Sequence, residues 1–238
     1  MYGLFLGIHC GDGSLPKYAR KNVYWWEFCD EDEEAAKFVA ELVARIFGVM
    51  PHIKKRGNRY VVYVQSKKMW LQLTQEFGLP VGRKAEIISM PSCVAKSEWK
   101  DFVNGVIGCD GVVFFDSDGK PRIRLRVRSK KLRDDVSGVL TEFGIHHTVG
   151  EAIGKSRVPT SDKIYRCTMY RLDLYGTSAE KYFEQIGCWH FQKVRKFSKN
   201  SFTKDSVKPV QVPLAEQAKT WQENQGKGIR QISPVTSG

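Results

Sequence analysis

The sequence has no apolar run approaching the ~18 residues needed to cross a bilayer, and its start lacks the basic-then-apolar pattern of a secretory signal. A cytoplasmic location is therefore expected. The six cysteines, Cys10, Cys29, Cys93, Cys109, Cys167 and Cys188, form no CxxC pair. That argues against a zinc ribbon or a redox motif and leaves reduced, mostly buried thiols. Ser/His/Asp and P-loop patterns are also missing, and His146 and His147 have no cysteine or carboxylate at ligand spacing. Acidic residues are scarce relative to basic ones: 26 Asp+Glu against 38 Lys+Arg gives a net charge of +12 over 238 residues. Such a balance points to a polyanionic partner, without separating DNA from RNA.

One order of signals occurs twice. Residues 5–13 (FLGIHCGDG) and 103–111 (VNGVIGCDG) each read as an apolar helix ending in Asp-Gly, with Gly7 matching Gly105 and Asp12 matching Asp110 at the same offset. After each comes a strand-rich stretch, then a charged helix (33–47 and 131–143) ending in Phe-Gly-aliphatic, at Phe47-Gly48-Val49 and Phe143-Gly144-Ile145. A second strand pair follows, around 59–65 and 163–174, and then a helix at 68–77 and 178–186. Each copy is thus α-β-β-α-β-β-α, an α+β fold. The second copy is longer, and its excess is placed in a Gly/Ser/Thr/Pro-rich loop at 148–162. Pro91 marks a linker at 90–96, with Ser97 as N-cap of the helix that follows. The expected units are 1–92, 93–200 and a tail, 201–238. The tail has three widely spaced prolines and few aliphatics, so it reads as loosely ordered or ordered by a partner, with a short helix at 214–221.

Gly7 and Gly11 in one helix, and Gly105 and Gly108 in the other, would let two backbones approach along a shared seam. Asp12 and Asp110 would then lie side by side, where two carboxylates repel unless cations sit between them. A lone Asp-Gly is commonly just a turn after a helix. Repetition in register, with matched glycines, favours a pair of metal sites.

These two segments resemble the LAGLIDADG motifs of monomeric homing endonucleases, especially those of archaeal introns and inteins. The first is close to the frequent LLGLILGDG form; the second is looser, with Asn104 and Gly108 departing from it. GLPVGRK at 78–84 is similar to the family's GLPVGKK, and the resemblance spans residues 1 to about 200. It implies two pseudo-symmetric αββαββα domains whose antiparallel sheets form a DNA-binding saddle over the major groove. It also implies Asp12 and Asp110 as ligands of Mg²⁺ or Mn²⁺, backbone carbonyls lent by Gly11 and Cys109, and basic residues near the scissile phosphates at Lys84 and Lys193. Because CWHFQKVRKF departs from the family pattern, Arg195 and Lys196 stay open as alternatives to Lys193. The implied activity is a monomer that cuts each strand of double-stranded DNA once, leaving 3′ overhangs. An RNA-binding maturase acting on its own intron RNA and a DNA-binding regulator on a degenerate nuclease frame are the alternatives.

A separate signal lies at 120–133, where Arg122, Arg124, Arg126 and Arg128 alternate with Ile123, Leu125 and Val127. In a strand this puts the arginines on one face. Four like charges in a row repel, so a polyanion is expected against them, with arginine able to read guanine; a solvated face of an edge strand is the alternative. In the first copy, alignment by the following helix gives Asn22, Tyr24 and Trp26 the equivalent face, although the tryptophans read equally as core. Arg59, Tyr63 and Gln65 alternate with Tyr60, Val62 and Val64 and are placed on the groove surface, with Arg166 and Thr168 as analogues. Lys54, Lys55, Arg56, Lys67, Lys68, Lys193, Arg195, Lys196 and Lys199 are expected to contact phosphates. Unequal halves suit a long, partly asymmetric target.

Overall fold

The computed structural model describes residues 2–17, 23–157 and 164–200. The expectations for Asn22, for the end of the 148–162 segment and for the tail with its 214–221 helix lie outside them. The first half runs α1 (Tyr2–Gly11), β1 (Gly13–Ser14), β2 (Trp25–Asp30), α2 (Glu33–Phe47), β3 (His52–Arg56), β4 (Arg59–Gln65) and α3 (Lys67–Leu71), whose last turn widens into a π-turn at Gln72–Glu76. The second half repeats it as α4 (Trp99–Asp110), β5 (Gly111–Phe115), β6 (Pro121–Val127), α5 (Lys130–Glu142), β7 (Thr148–Arg157), β8 (Ile164–Tyr175) and α6 (Thr177–Gln185), followed by α7 (Phe191–Asn200). Each half holds a four-stranded antiparallel sheet, ordered β1-β2-β4-β3 in one and β5-β6-β8-β7 in the other.

Local chemistry explains why the same signals recur. Asp32 and Ser129 cap α2 and α5 by accepting from Glu34 N at 3.0 Å and Leu132 N at 3.1 Å. The glycine of each Phe-Gly-aliphatic is left-handed, with φ 63° at Gly48 and 61° at Gly144, which ends the helix at no steric cost. Helices cover one face of each sheet. Phe28, Val62 and Val64 bury that face in the first half, as Ile123, Leu125, Leu172 and Leu174 do in the second.

Two expectations are corrected. Ser97 does not cap α4; it lies inside a 3-10 turn (Lys96–Glu98), and Glu98 takes the position before the helix. Residues 148–157 are not loop but strand β7, paired along its whole length with β8 from Thr148↔Asp173 to Arg157↔Ile164. A longer hairpin therefore accounts for the extra residues of the second half. Its apolar side chains Val149 and Ile153 are 52% and 74% exposed. With neither face buried there, the segment carries no alternation of apolar and polar residues to betray it.

Candidate active site and nucleic-acid interface

The centre of the molecule is the seam between α1 and α4, buried from Gly3 to Cys10 in the first and from Phe102 to Gly108 in the second. A Cβ at Gly7 would stand 2.1 Å from the Phe102 carbonyl oxygen, and one at Gly105 would stand 2.6 Å from both Ile8 N and Leu4 O. Only backbone without side chains fits at that crossing. Gly108 has a different reason: its Cβ would fall 1.9 Å from Trp189 Nε1. Asn104 Oδ1 accepts from Trp189 N at 2.8 Å, its Nδ2 donates to Ile186 O at 3.4 Å, and Trp189 Nε1 donates to Gly105 O at 3.3 Å. The two departures of the second motif thus make room for one indole and hold it. Trp189 then stacks on Phe38 of α2 (5.4 Å, 17°), tying the end of the second half to the first.

This crossing brings the helix C-termini together. Lys84 Nζ donates to the carbonyls of His9, Cys10 and Gly11 at 2.5, 2.7 and 2.5 Å. Lys193 Nζ donates to those of Ile107, Gly108 and Cys109 at 3.2, 2.5 and 2.8 Å. The three acceptors are the matched positions of the two motifs, so Lys193 is the structural counterpart of Lys84. Arg195 instead pairs with Glu34 at 2.9 Å. The Gly11 and Cys109 carbonyls therefore meet an ammonium here.

Each aspartate shares a cleft with the lysine of the other half. A cleft of about 530 Å³ is lined by Asp12, Lys193, Asp30, His190 and Lys196, and it reaches Cys29 and Arg59 on one sheet and Val112 on the other. A second, of about 190 Å³, joins Asp110 and Lys84 with Arg126, Arg128 and Met169. Burial, reinforced by the Asp12 carboxylate, pushes Asp110 up to about 6. Asp12 reaches solvent, yet crowding by protein atoms and then Asp30 raise it as well. Asp30 itself is lowered: its burial acts upward, but contact with His190 (Nε2 to Oδ2, 3.3 Å) and the Asp32 N–H outweigh it. Burial lowers Lys84.

Strand register sorts the remaining candidates by face. On the first sheet Trp25, Glu27 and Cys29 oppose Gln65, Tyr63 and Val61, while His52, Lys54 and Arg56 oppose Tyr63, Val61 and Arg59. Arg59, Tyr63 and Gln65 thus lie on the face away from the helices, as expected. Lys54 and Arg56 share that face, whereas Lys55 lies over the Tyr60 ring on the other. Trp26 is corrected to core: it is 1% exposed and donates Nε1 to His9 Nδ1 at 3.0 Å. Burial and then the Lys84 charge hold His9 well below its ordinary pKa, so it stays a neutral acceptor. Tyr24 continues the Trp26 side and meets Trp70 edge-on. The residue that takes the open face is Trp25, stacked on Tyr63 (5.3 Å, 7°), which stacks in turn on His52 (5.2 Å, 28°). Two bulky neighbours hid this parity in the sequence.

On the second sheet Arg122, Arg124 and Arg126 point to the open face, opposite Tyr175, Asp173 and Arg171. Arg166 and Thr168 have the opposite parity, that of Leu172 and Leu174, and so fall on the helix side, contrary to expectation. The same buried leucines could have flagged Arg171 and Asp173 as open-face residues. The argument from repulsion is also corrected. Arg122 pairs with Asp116 at 3.0 Å, Arg124 with Asp173 at 2.5 Å, and Arg128 with Glu86, so the protein supplies counter-charges itself.

Comparison with known proteins follows the same division. Residues 100–187 match a family model described as a LAGLIDADG-like domain, and residues 1–78 match that of the WhiA LAGLIDADG-like domain. Mesophilic variants of the homing endonuclease I-DmoI superpose with a TM-score of 0.53 at 21% identity, covering 78% of this chain and 93% of that one. I-DmoI in complex with DNA and Ca gives 0.53 at 20%, over 77% and 87% of the two chains. Its complex with DNA and Mn gives 0.52 at 21%, over 78% and 94%. At these identities the likeness is one of fold. Among the described residues no helix is long and apolar enough to cross a membrane.

Proposed function

Since this chain belongs to the LAGLIDADG family and carries one motif in each half, we propose that it is a site-specific endonuclease that acts as a monomer on double-stranded DNA. It hydrolyses one phosphodiester in each strand and leaves 3′ overhangs. The observation that carries this reading is the pair of composite clefts, each joining an aspartate of one half to a lysine of the other, with an open-face arginine in its lining, Arg59 in one and Arg126 in the other. DNA binding by I-DmoI, on the same fold, supports it. The working unit is residues 1–92 with 93–200, and the phosphate contacts come from the lysines and arginines bordering the sheets.

The donor set suits a hard divalent cation. Burial and then the Asp12 carboxylate raise the Asp110 pKa, and among the described residues no group of three His, Cys, Asp or Glu side chains is placed to hold a metal ion by itself. Mg²⁺ commonly takes one or two protein carboxylates and completes its shell with water and phosphate oxygens. Asp12 and Asp110 would hold Mg²⁺ or Mn²⁺, which supplies polarisation of the phosphate and a bound water of lowered pKa. Lys84 and Lys193, fixed by three carbonyls each, offset charge developing on the phosphoryl oxygens. Lys193→Met is expected to slow cutting about 10²-fold, whereas Arg195→Gln leaves the rate within about threefold because its guanidinium is spent on surface Glu34.

The WhiA match over residues 1–78 favours a second reading, a DNA-binding regulator on the same frame. The two are separated by incubating the protein with a randomised duplex library and Mg²⁺, then capturing and sequencing cut ends. Discrete ends with a common flanking sequence, abolished by EDTA, support the nuclease. Selective retention of duplexes without cut ends supports the regulator. RNA is the less favoured ligand because the Tyr63 ring is stacked on both Trp25 and His52, where a single-strand platform leaves such faces to bases.

A further inference from the structure

On the open face of the second sheet a buried carboxylate lies between two arginines of different strands. Asp173 is 1% exposed; its Oδ1 is 2.5 Å from Arg124 Nε, and its Oδ2 is 2.7 Å from Arg171 Nε, the latter an ion pair without hydrogen-bond alignment. A buried carboxylate is costly unless its charge is answered, and here two guanidiniums answer it. In both, the atom nearest Asp173 is Nε, so the end of the planar fork that carries the two terminal nitrogens is not the edge spent on the carboxylate. Neighbours fix the planes. Arg124 lies over the Phe114 ring at 5.3 Å, with the Tyr175 hydroxyl in reach, and Arg171 lies across Gly150, where a Cβ would be 3.5 Å from Nη2. Arg122 differs, spending both Nε and Nη2 on Asp116 at 3.2 and 3.0 Å.

We propose that Asp173 is a positioning residue that presents Arg124 and Arg171 as a preset pair, each reading one guanine in the half of the duplex that faces the second sheet. This inference rests on the reading of the protein as a binder of double-stranded DNA. Bidentate donation from an arginine fork to guanine O6 and N7 is the commonest specific base contact, and its strength depends on the fork being held in plane. Lysine keeps the charge but not the fork.

The test is affinity selection of the full chain on a randomised duplex library without divalent cation, so that binding alone is read. Wild type is expected to enrich guanine at two positions of one half-site. Arg124→Lys should lose one and Arg171→Lys the other, each by about tenfold or more in discrimination. Asp173→Asn should weaken both. Retention of unselected duplex at low salt should stay within about threefold for the lysine variants, because phosphate attraction is kept. A bound pool without paired guanines, or one unchanged by Arg171→Lys, overturns the proposal; Arg171→Lys decides even if Asp173→Asn does not fold. A protein that enriches the guanines but never cuts sinks the nuclease reading and leaves this one standing. Cutting with guanine preference unaltered in the variants does the reverse.

Discussion

Asp110→Asn is expected to lower the cutting rate by about 10³-fold or more while making the metal-free protein more stable at neutral pH. The first effect follows from the cleft that Asp110 shares with Lys84, where an amide cannot hold a cation as a carboxylate does. The second follows from the Asp110 pKa, raised from 3.8 to about 6 by burial and by Asp12. A carboxyl whose folded-state pKa lies above its unfolded value binds its proton more tightly when folded. Its contribution is therefore favourable below about pH 4 and is lost as pH rises through about 6. Above that window the wild type carries a deficit of roughly 1–3 kcal/mol, which asparagine, unable to ionise, does not carry. Melting in EDTA from pH 4.5 to 7.5 should show a decline in wild type that is largely absent in Asp110→Asn. Added Mg²⁺ should raise the wild-type midpoint at pH 7.5 and leave the variant's unmoved. A variant less stable than wild type at pH 7.5 would sink the electrostatic account.

Gly7→Ala should be among the most damaging single-methyl additions in the protein. Its new carbon would meet the Phe102 carbonyl at 2.1 Å and Gly105 Cα at 3.0 Å, and neither is a side chain that can turn aside. The helices must separate, which costs about 3 kcal/mol and lowers the melting midpoint by about 6–12 °C. Because the motif aspartates end these helices, cutting should fall with stability. Gly138→Ala is the control: it lies exposed within α5, and a Cβ there meets nothing within 4 Å. It should stabilise by about 0.5–1 kcal/mol. If the two variants melt alike, the close crossing is not what the glycines serve.

Sequence alone determined the doubled αββαββα order and the paired Asp-Gly helix ends at Asp12 and Asp110, because these are written in local signals, while Lys84 was pointed to by the resemblance of residues 78–84 to the family pattern. Asp-Gly after an apolar helix, caps at Asp32 and Ser129, and glycines that must be left-handed at 48 and 144 depend on neighbours a few residues away. Where a residue's role depends on a partner distant in the chain, only the tertiary structure decided. Lys193, and not Arg195, is the geometric counterpart of Lys84, because it reaches three α4 carbonyls while Arg195 pairs with Glu34. Trp25 rather than Trp26 faces outward because His9 accepts the Trp26 N–H inside the core. Strand β7, with apolar side chains in solvent, is held by its ladder to β8 and not by propensity. The arginine row is tolerable because Asp116, Asp173 and Glu86 stand beside it. Backbone conformation is governed by short-range sterics and capping, which one stretch of sequence contains. Charge pairing and side-chain parity depend on which strands and helices meet, and chain folding alone sets that.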